Sequence, residues 1–392
     1  MNFKLSAVSA AVVLACSMSS AFAADSSSID QSGSNNTASV LQEANFTSSN
    51  NTSSINQSGS ANNAGVQQVA NVGNAVSTIV EYSGANDNLS QVYQASSSSV
   101  AASITNAGSS NRGNVSQSRV STSSGSVIQS GTSNTGFINQ SDGSNQFASI
   151  NASTYGVNGV NNYANVTQTG TEQSVAIEQS YGSFNKLTAK QTGGNDRATL
   201  AQAGNGNFLE TLQNGTGALN VVNGSQTGDR NTGYVTQSGS DLSASLSQPG
   251  SDNTANLSQT GSSSTMSVGQ RGNLNNGKAT QAGNNQYANL DQTGSSNTAS
   301  LSQLGDRNYI YASQGGISNK GELSQNGISN VASLTQSGSS NTALMEQIGD
   351  FNTASLLQSG NSNVANISQK GNSFASYNTQ SGSSNTITVT QR

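Results

Sequence analysis

The sequence contains no histidine, no tryptophan, one cysteine and one proline. Without histidine, Ser-His-Asp hydrolysis and histidine-ligated metal sites are excluded. The cysteine, Cys16, falls in the N-terminal segment, so the rest of the chain has no thiol for a nucleophile, a zinc site or a disulfide. Charge is scarce: 13 Lys and Arg against 18 Asp and Glu, 8 % of residues and a net −5. The cations are scattered singly, so the electrostatic footprint of a nucleic-acid binder is missing. Carboxylates such as Asp291, Glu322 and Glu346 are isolated, and nothing pairs them as acid and base. Beyond the N-terminus no apolar run is long enough to span a bilayer. Hydrophobic residues make up only 31 % of the chain, low for a globular domain. Ser, Asn, Gln, Thr and 42 glycines supply the bulk, a composition that by itself describes disorder.

The N-terminus has its own logic. Lys4 is followed by a mostly apolar run from Leu5 and by the small-residue site Ala21-Phe22-Ala23. This pattern predicts a secretory signal over 1–23, cleaved after Ala23. The rival reading takes Val13-Leu14-Ala15-Cys16 as a lipoprotein box ending in an anchored Cys16, a box that Leu14 fits poorly.

Periodicity removes the disordered reading. Gln recurs at every eleventh position as Gln226, Gln237, Gln248, Gln259, Gln270, Gln281, Gln292, Gln303, Gln314, Gln325, Gln336, Gln347, Gln358, Gln369, Gln380 and Gln391. Two residues after each of the first fifteen stands a glycine: Gly228, Gly239, Gly250, Gly261, Gly272, Gly283, Gly294, Gly305, Gly316, Gly327, Gly338, Gly349, Gly360, Gly371 and Gly382. In a random chain of this composition such a run has a chance on the order of 10⁻¹⁴. The Asn of the unit Q-x-G-x-x-N-x-A-x-L-x-Q is kept by Asn297, Asn308, Asn319, Asn330, Asn341, Asn352, Asn363 and Asn385, with departures such as Leu242 and Phe374.

Asn, Ala, Leu and the next Gln are two residues apart, the period of a strand face. Asn297, Ala299, Leu301 and Gln303 therefore point one way and Thr298, Ser300 and Ser302 the other. The Ala and Leu face is expected to be buried. Seven strand residues leave four for a corner, where Gly permits a positive φ. A helical eleven-residue repeat is disfavoured by a glycine in every unit. The fold class expected is all-β: a two-sided β-solenoid with coils of about 22 residues, each built from two strand-corner units stacked in a cross-β manner. The small Ala of one strand would face the Leu of the other, and each Gln and Asn would stack on its equivalent as an amide ladder. At most ~17 coils, about 80 Å at strand spacing, fit the chain.

Residues 24–225 carry the unit less strictly, with Gln31–Gln42 and Gln57–Gln68 good copies and slips at 42–57 and 213–226 read as longer corner loops. Residues 226–392 form the strict segment. Pro249 suits the start of a turn. Corner charges such as Asp229, Asp306 and Asp350 are solvated turn residues, or gatekeepers that slow association. The outward row Thr232, Thr254, Asn276, Thr298, Lys320, Thr342, Val364, Thr386 raises an ice-binding alternative, weakened by Lys320 and by Tyr287 and Tyr309 on the other face. A capped monomeric solenoid adhesin is the other alternative. Polysaccharide lyases also use coils of this length, but with three unequal faces, so an enzyme is not expected.

These residues resemble the curlin repeat family, the subunits of bacterial curli fibres. The family pattern stands as Gln336-Ser337-Gly338-Ser339-Ser340-Asn341-Thr342-Ala343, followed by Gln347. The resemblance implies a secreted subunit of a Gram-negative bacterium that polymerises with itself into extracellular amyloid for biofilm matrix and adhesion. It implies partners in another curlin subunit or nucleator, an outer-membrane secretion channel and periplasmic accessory proteins, and no cofactor, small-molecule substrate or nucleic acid. Two features depart from it: this chain has several times more coils, and Asp25-Ser26-Ser27-Ser28-Ile29-Asp30 stands where a Gly-rich export segment would precede Gln31. The terminus Thr388-Val389-Thr390-Gln391-Arg392 is similar to that of the nucleating subunit.

Overall fold

A computed structural model describes residues 25–43, 50–70, 72–152, 159–215 and 219–392. The expected signal, with Cys16 and Ala23, lies outside them, as do residues 44–49 and 216–218 of the two slips. Every regular element among the described residues is a β-strand. The chain divides into two units, one of residues up to 195 with 199–205, the other of 196–198 with 206–392.

In the first unit fourteen strands, from Ser26–Ser34 to Lys186–Gly194, alternate between two parallel sheets of seven. Sheet 1A begins with Ser26–Ser34 and ends with Ser174–Ser180; sheet 1B runs from Thr37–Gln42 to Lys186–Gly194. In the second unit, sheet 2A has eight strands from Asn220–Thr227 to Ala375–Ser383, and sheet 2B has nine from Phe208–Gly215 to Thr386–Gln391. Each is a β-solenoid whose chain crosses to the opposite sheet at every corner. Register follows the repeat residue for residue: Ala299 pairs with Gly321, Leu301 with Leu323, Gln303 with Gln325 and Gly305 with Gly327.

The alternation of burial along Thr298–Asp306 puts Ala299, Leu301 and Gln303 inside and Thr298, Ser300 and Ser302 toward solvent. The small place fits against the large place of the facing sheet. At Gly233, Gly277 and Gly321 an added Cβ would come within 2.6, 2.9 and 2.7 Å of Cδ2 of Leu246, Leu290 and Leu334. These glycines are the limit of the small residue: where the facing Leu fills the space, even a methyl does not fit.

The strands are longer than seven residues. Thr298–Asp306 continues through Gly305, leaving two residues, Arg307 and Asn308, before the next strand. The glycine thus stays in the backbone ladder with φ of 106°. A Cβ there would collide with the carbonyl oxygen of Gly327 in the next coil. Its need is therefore double, a left-handed φ and the close approach of a neighbouring chain. From Asn297 to Asn385 the residue before each Asn of the repeat also has positive φ without being glycine, as at Ser340 (57°) and even Phe351 (58°). Pro249 stands inside the strand Ser243–Ser251 and not in a turn, and the pairing with Thr265–Asn273 skips it, because proline has no N–H to give.

Candidate functional site: amide columns and open coil edges

The interior polar groups are arranged in columns. In sheet 2B, Gln281 Nε2 donates to Gln303 Oε1 at 2.8 Å, and Gln303 Nε2 donates to Gln325 Oε1 at 3.0 Å. The second Nε2 proton of Gln303 goes across the core to the carbonyl of Tyr287 at 3.0 Å. Buried to 1 % exposure, this amide has both protons and its oxygen engaged, which offsets its desolvation. The same bonds join Gln237, Gln259, Gln281, Gln303, Gln325, Gln347, Gln369 and Gln391 in one file. Gln226, Gln248, Gln270, Gln292, Gln314, Gln336, Gln358 and Gln380 form the other in sheet 2A.

The Asn columns work differently. Asn319 donates from its backbone N to Asn297 Oδ1 at 3.0 Å, and its Nδ2 bonds Asn297 Oδ1 and the Gly338 carbonyl, both at 3.1 Å. Its backbone N–H is thus taken by a side chain and not by a neighbouring strand, which is why Asn falls just outside the strand that it begins. Asn297, Asn319, Asn341, Asn363 and Asn385 lie in the column of sheet 2B, and Asn308, Asn330 and Asn352 in that of sheet 2A. The two ladders have opposite polarity. Gln donates toward the C-terminal coil, whereas Asn donates toward the N-terminal one.

All departures in the Asn place of the second unit fall on sheet 2A: Leu242, Ser264, Gln286 and Phe374, while sheet 2B keeps Asn in every coil. The first unit repeats the asymmetry. Sheet 1B holds an unbroken file from Gln42 through Gln68, Gln94, Gln117, Gln140 and Gln168 to Gln191. In sheet 1A, Ala75 and Val100 take Asn places and pack with Val72 and Val120, and the Gln places read Gln31, Gln57, Glu81, Asn106, Gln129, Ala152 and Gln179.

Glu81 is fully buried, accepting from Gln57 Nε2 at 2.9 Å and from Ser90 Oγ at 2.7 Å. Burial pushes its pKa above the ordinary glutamate range, against the pull of those two bonds. Next to it Asn106 Oδ1 and both amide atoms of Gln129 have no partner. A second buried acid, Asp196, takes an Asn place and accepts from Asn220 Nδ2 at 2.9 Å. Burial raises its pKa from 3.8 to about 6, and Oδ2 has no partner. Sequence reading missed both acids: spacing slips hide the alignment of Glu81, whereas Asp196 occupies the Asn place of the regular unit Gln191–Gln202 and was passed over.

At the corners, acids do more than face solvent. Asp306 Oδ1 accepts from the backbone N of Asn284 at 3.1 Å, Asp350 Oδ1 from that of Ile328 at 2.8 Å, and Arg230 pairs with Asp252 at 2.7 Å. Among the described residues no group of three or more Asp, Glu or Cys is placed to hold a metal ion, and no helix is long and apolar enough to cross a membrane.

Among the described residues the outermost strands pair on one side only: Ser26–Ser34 and Thr37–Gln42 at the start of the first unit, Ala375–Ser383 and Thr386–Gln391 at the end of the second. Inward residues there are uncovered in part; Ile387, Val389 and Gln391 are half-buried, where Leu301 and Gln303 are enclosed.

Two-sheet solenoids with amide columns along their interior define a class of structural repeat protein. The curlin associated repeat matches residues 159–193, 222–250, 228–261, 316–349 and 340–371, which supports a protein of the curlin repeat family. That family consists of structural subunits associated with extracellular curli fibres. Comparison with curated proteins found no match.

Proposed function

We propose that this chain is a secreted fibre subunit that polymerises end to end into curli-type amyloid, serving as matrix and adhesive surface. The observation that carries the reading is the pair of outermost coil edges, whose strands have a paired neighbour on one side only among the described residues. Ladder polarity supports a single docking sense. At the C-terminal edge Gln391 still has a donor that interior glutamines give to a following coil, and Asn385 has an Oδ1 that interior asparagines offer to one. At the N-terminal edge Gln31 and Gln42 offer the Oε1 acceptors, and Asn36 the backbone donor, that a preceding coil would engage. Head-to-tail stacking matches donor with acceptor; head-to-head stacking opposes like groups. A contact of this kind does not close and yields filaments.

Function on this reading is mechanical, and the ladder residues carry it. A nucleating curlin subunit, a secretion channel and periplasmic accessory proteins are the partners it calls for. The test is dilution of residues 24–392 from denaturant, followed by thioflavin fluorescence and fibre diffraction. Seeded filaments with a meridional reflection near ~4.8 Å are expected. A β-rich monomer that ignores seeds would replace this function with that of a solitary solenoid.

A further inference from the structure

The outer faces of the first unit differ in charge. Between its Asn and Gln columns, sheet 1B presents Arg112, Lys186 and Lys190 and, among the described residues, no carboxylate. The corresponding face of sheet 1A presents Asp30 and Glu178 and no cation. The cationic face belongs to a chain whose net charge is −5, so the segregation is local.

Aromatic rings lie between the cations. The Arg112 guanidinium sits 5.3 Å from the ring centre of Phe137, Phe137 meets Tyr163 edge-on at 6.0 Å, and Lys186 Nζ lies 5.8 Å from the Tyr163 ring. The row crosses four neighbouring strands, from Arg112–Ser121 to Lys186–Gly194. On the same face, toward Thr37–Gln42, is a cleft of about 200 Å³. Gly65 leaves it open, and the amides of Asn63, Gln67, Gln91 and Asn114 line it with Tyr93.

We infer that the outer face of sheet 1B binds an acidic polysaccharide, a polymer containing uronate sugars, laid across the strands. Each part of the face answers one part of that ligand. The half-exposed rings of Phe137 and Tyr163 stack against the C–H faces of sugars, amides and the Tyr93 hydroxyl bond sugar hydroxyls, and Arg112 and Lys186 pair with carboxylates. Charge spacing decides against nucleic acid, the other polymer that combines anions with flat faces. Arg112 and Lys186 are three strand steps apart, about 14 Å, whereas a DNA strand carries a phosphate every ~3.4 Å. A uronate polymer carries at most one carboxylate per sugar, a wider spacing that suits these cations better. This binding does not depend on self-assembly, and it gives the matrix reading a second, distinct surface.

The test measures retention of the whole mature chain by immobilised alginate, with dextran and a thymidine oligonucleotide as competitors. The wild type is expected to bind alginate in low salt and release it in high salt. Arg112→Gln with Lys186→Gln should weaken binding roughly tenfold, and Phe137→Ser with Tyr163→Ser severalfold, with the far-UV spectrum unchanged. Lys278→Gln with Lys320→Gln, an equal charge change on the outer face of sheet 2B, should leave binding within twofold. Equal losses in both charge variants, undiminished binding in the first, or no binding at all would overturn the assignment. Stronger competition by the oligonucleotide than by free alginate would overturn it in favour of nucleic acid.

Discussion

Gln57 Nε2 lies 2.9 Å from Oε2 of Glu81, a carboxyl enclosed in a column of amides. A glutamine passes the ladder on by donating to the next coil; an ionised carboxylate has no proton to give. The column stops there, with Asn106 Oδ1 unpartnered in the following coil. Because burial raises the pKa of Glu81, the folded chain holds this proton at pH values where the unfolded chain has lost it. Stability should therefore fall as pH rises through and above the ordinary glutamate range. Glu81→Gln should remove this residue's share of that slope and leave the chain more stable than wild type at neutral pH, measured by denaturant unfolding at pH 4 and pH 7.

Asp196 gives the same sign with a defined window. Its pKa rises from 3.8 to about 6, so its contribution is complete below the lower value and is lost as pH climbs through the upper one. Asp196→Asn keeps the Oδ1 acceptor for Asn220 and removes the charge. Its unfolding midpoint should change little between pH 4 and pH 7 relative to wild type, with a gain on the order of 2 kcal/mol at the higher pH. A wild-type midpoint that rises over this interval would refute the raised pKa.

An interior ladder residue should be costly to remove. Gln303→Ala leaves the Gln281 donor and the Gln325 acceptor unpaired inside the core and opens a cavity. A loss of about 3 kcal/mol is expected, against well under ~1 kcal/mol for the outward Ser302→Ala. Comparable losses from the two, in parallel urea titrations, would mean that the column contributes little.

Corner acids test the gatekeeper idea without breaking the corner. Asp306 and Asp350 each accept a backbone bond from the preceding coil through Oδ1. Asp306→Asn and Asp350→Asn retain that acceptor and remove two negative charges. With Asp229→Asn they should shorten the assembly lag while the unfolding midpoint stays put; an unchanged lag would leave these residues a purely local role.

Much of this architecture is legible in the repeat itself, because a column of identical residues requires an exact period. The inward set Ala299, Leu301 and Gln303, the outward set between them and the fit of small against large follow from a two-residue alternation and an eleven-residue unit. What the unit hides is the difference between its alternate copies. Leu242 and Phe374 look like scattered exceptions at period eleven, yet both fall on sheet 2A; reading at period twenty-two separates them. The left-handed residue before the Asn of the strict repeats was not legible either, since Ser340 and Phe351 share no side-chain signature and are forced by the short corner. Irregular spacing concealed Glu81, while Asp196 differs from the Asn it replaces by one atom and breaks no period.

The most direct test of end-templated growth uses a glycine whose neighbour is missing. A Cβ on Gly360 would strike the carbonyl of Gly382, but a Cβ on Gly382 meets only Asn385 Nδ2, at 3.6 Å. Gly382→Ala adds strain of about 1 kcal/mol from its positive φ and otherwise leaves the monomer intact. If another copy stacks on this coil, the methyl group occupies the space that its carbonyl needs. Elongation of wild-type seeds by the variant, at matched monomer concentration and fold content, should stall after the first addition. Elongation at the wild-type rate would contradict stacking on the C-terminal edge.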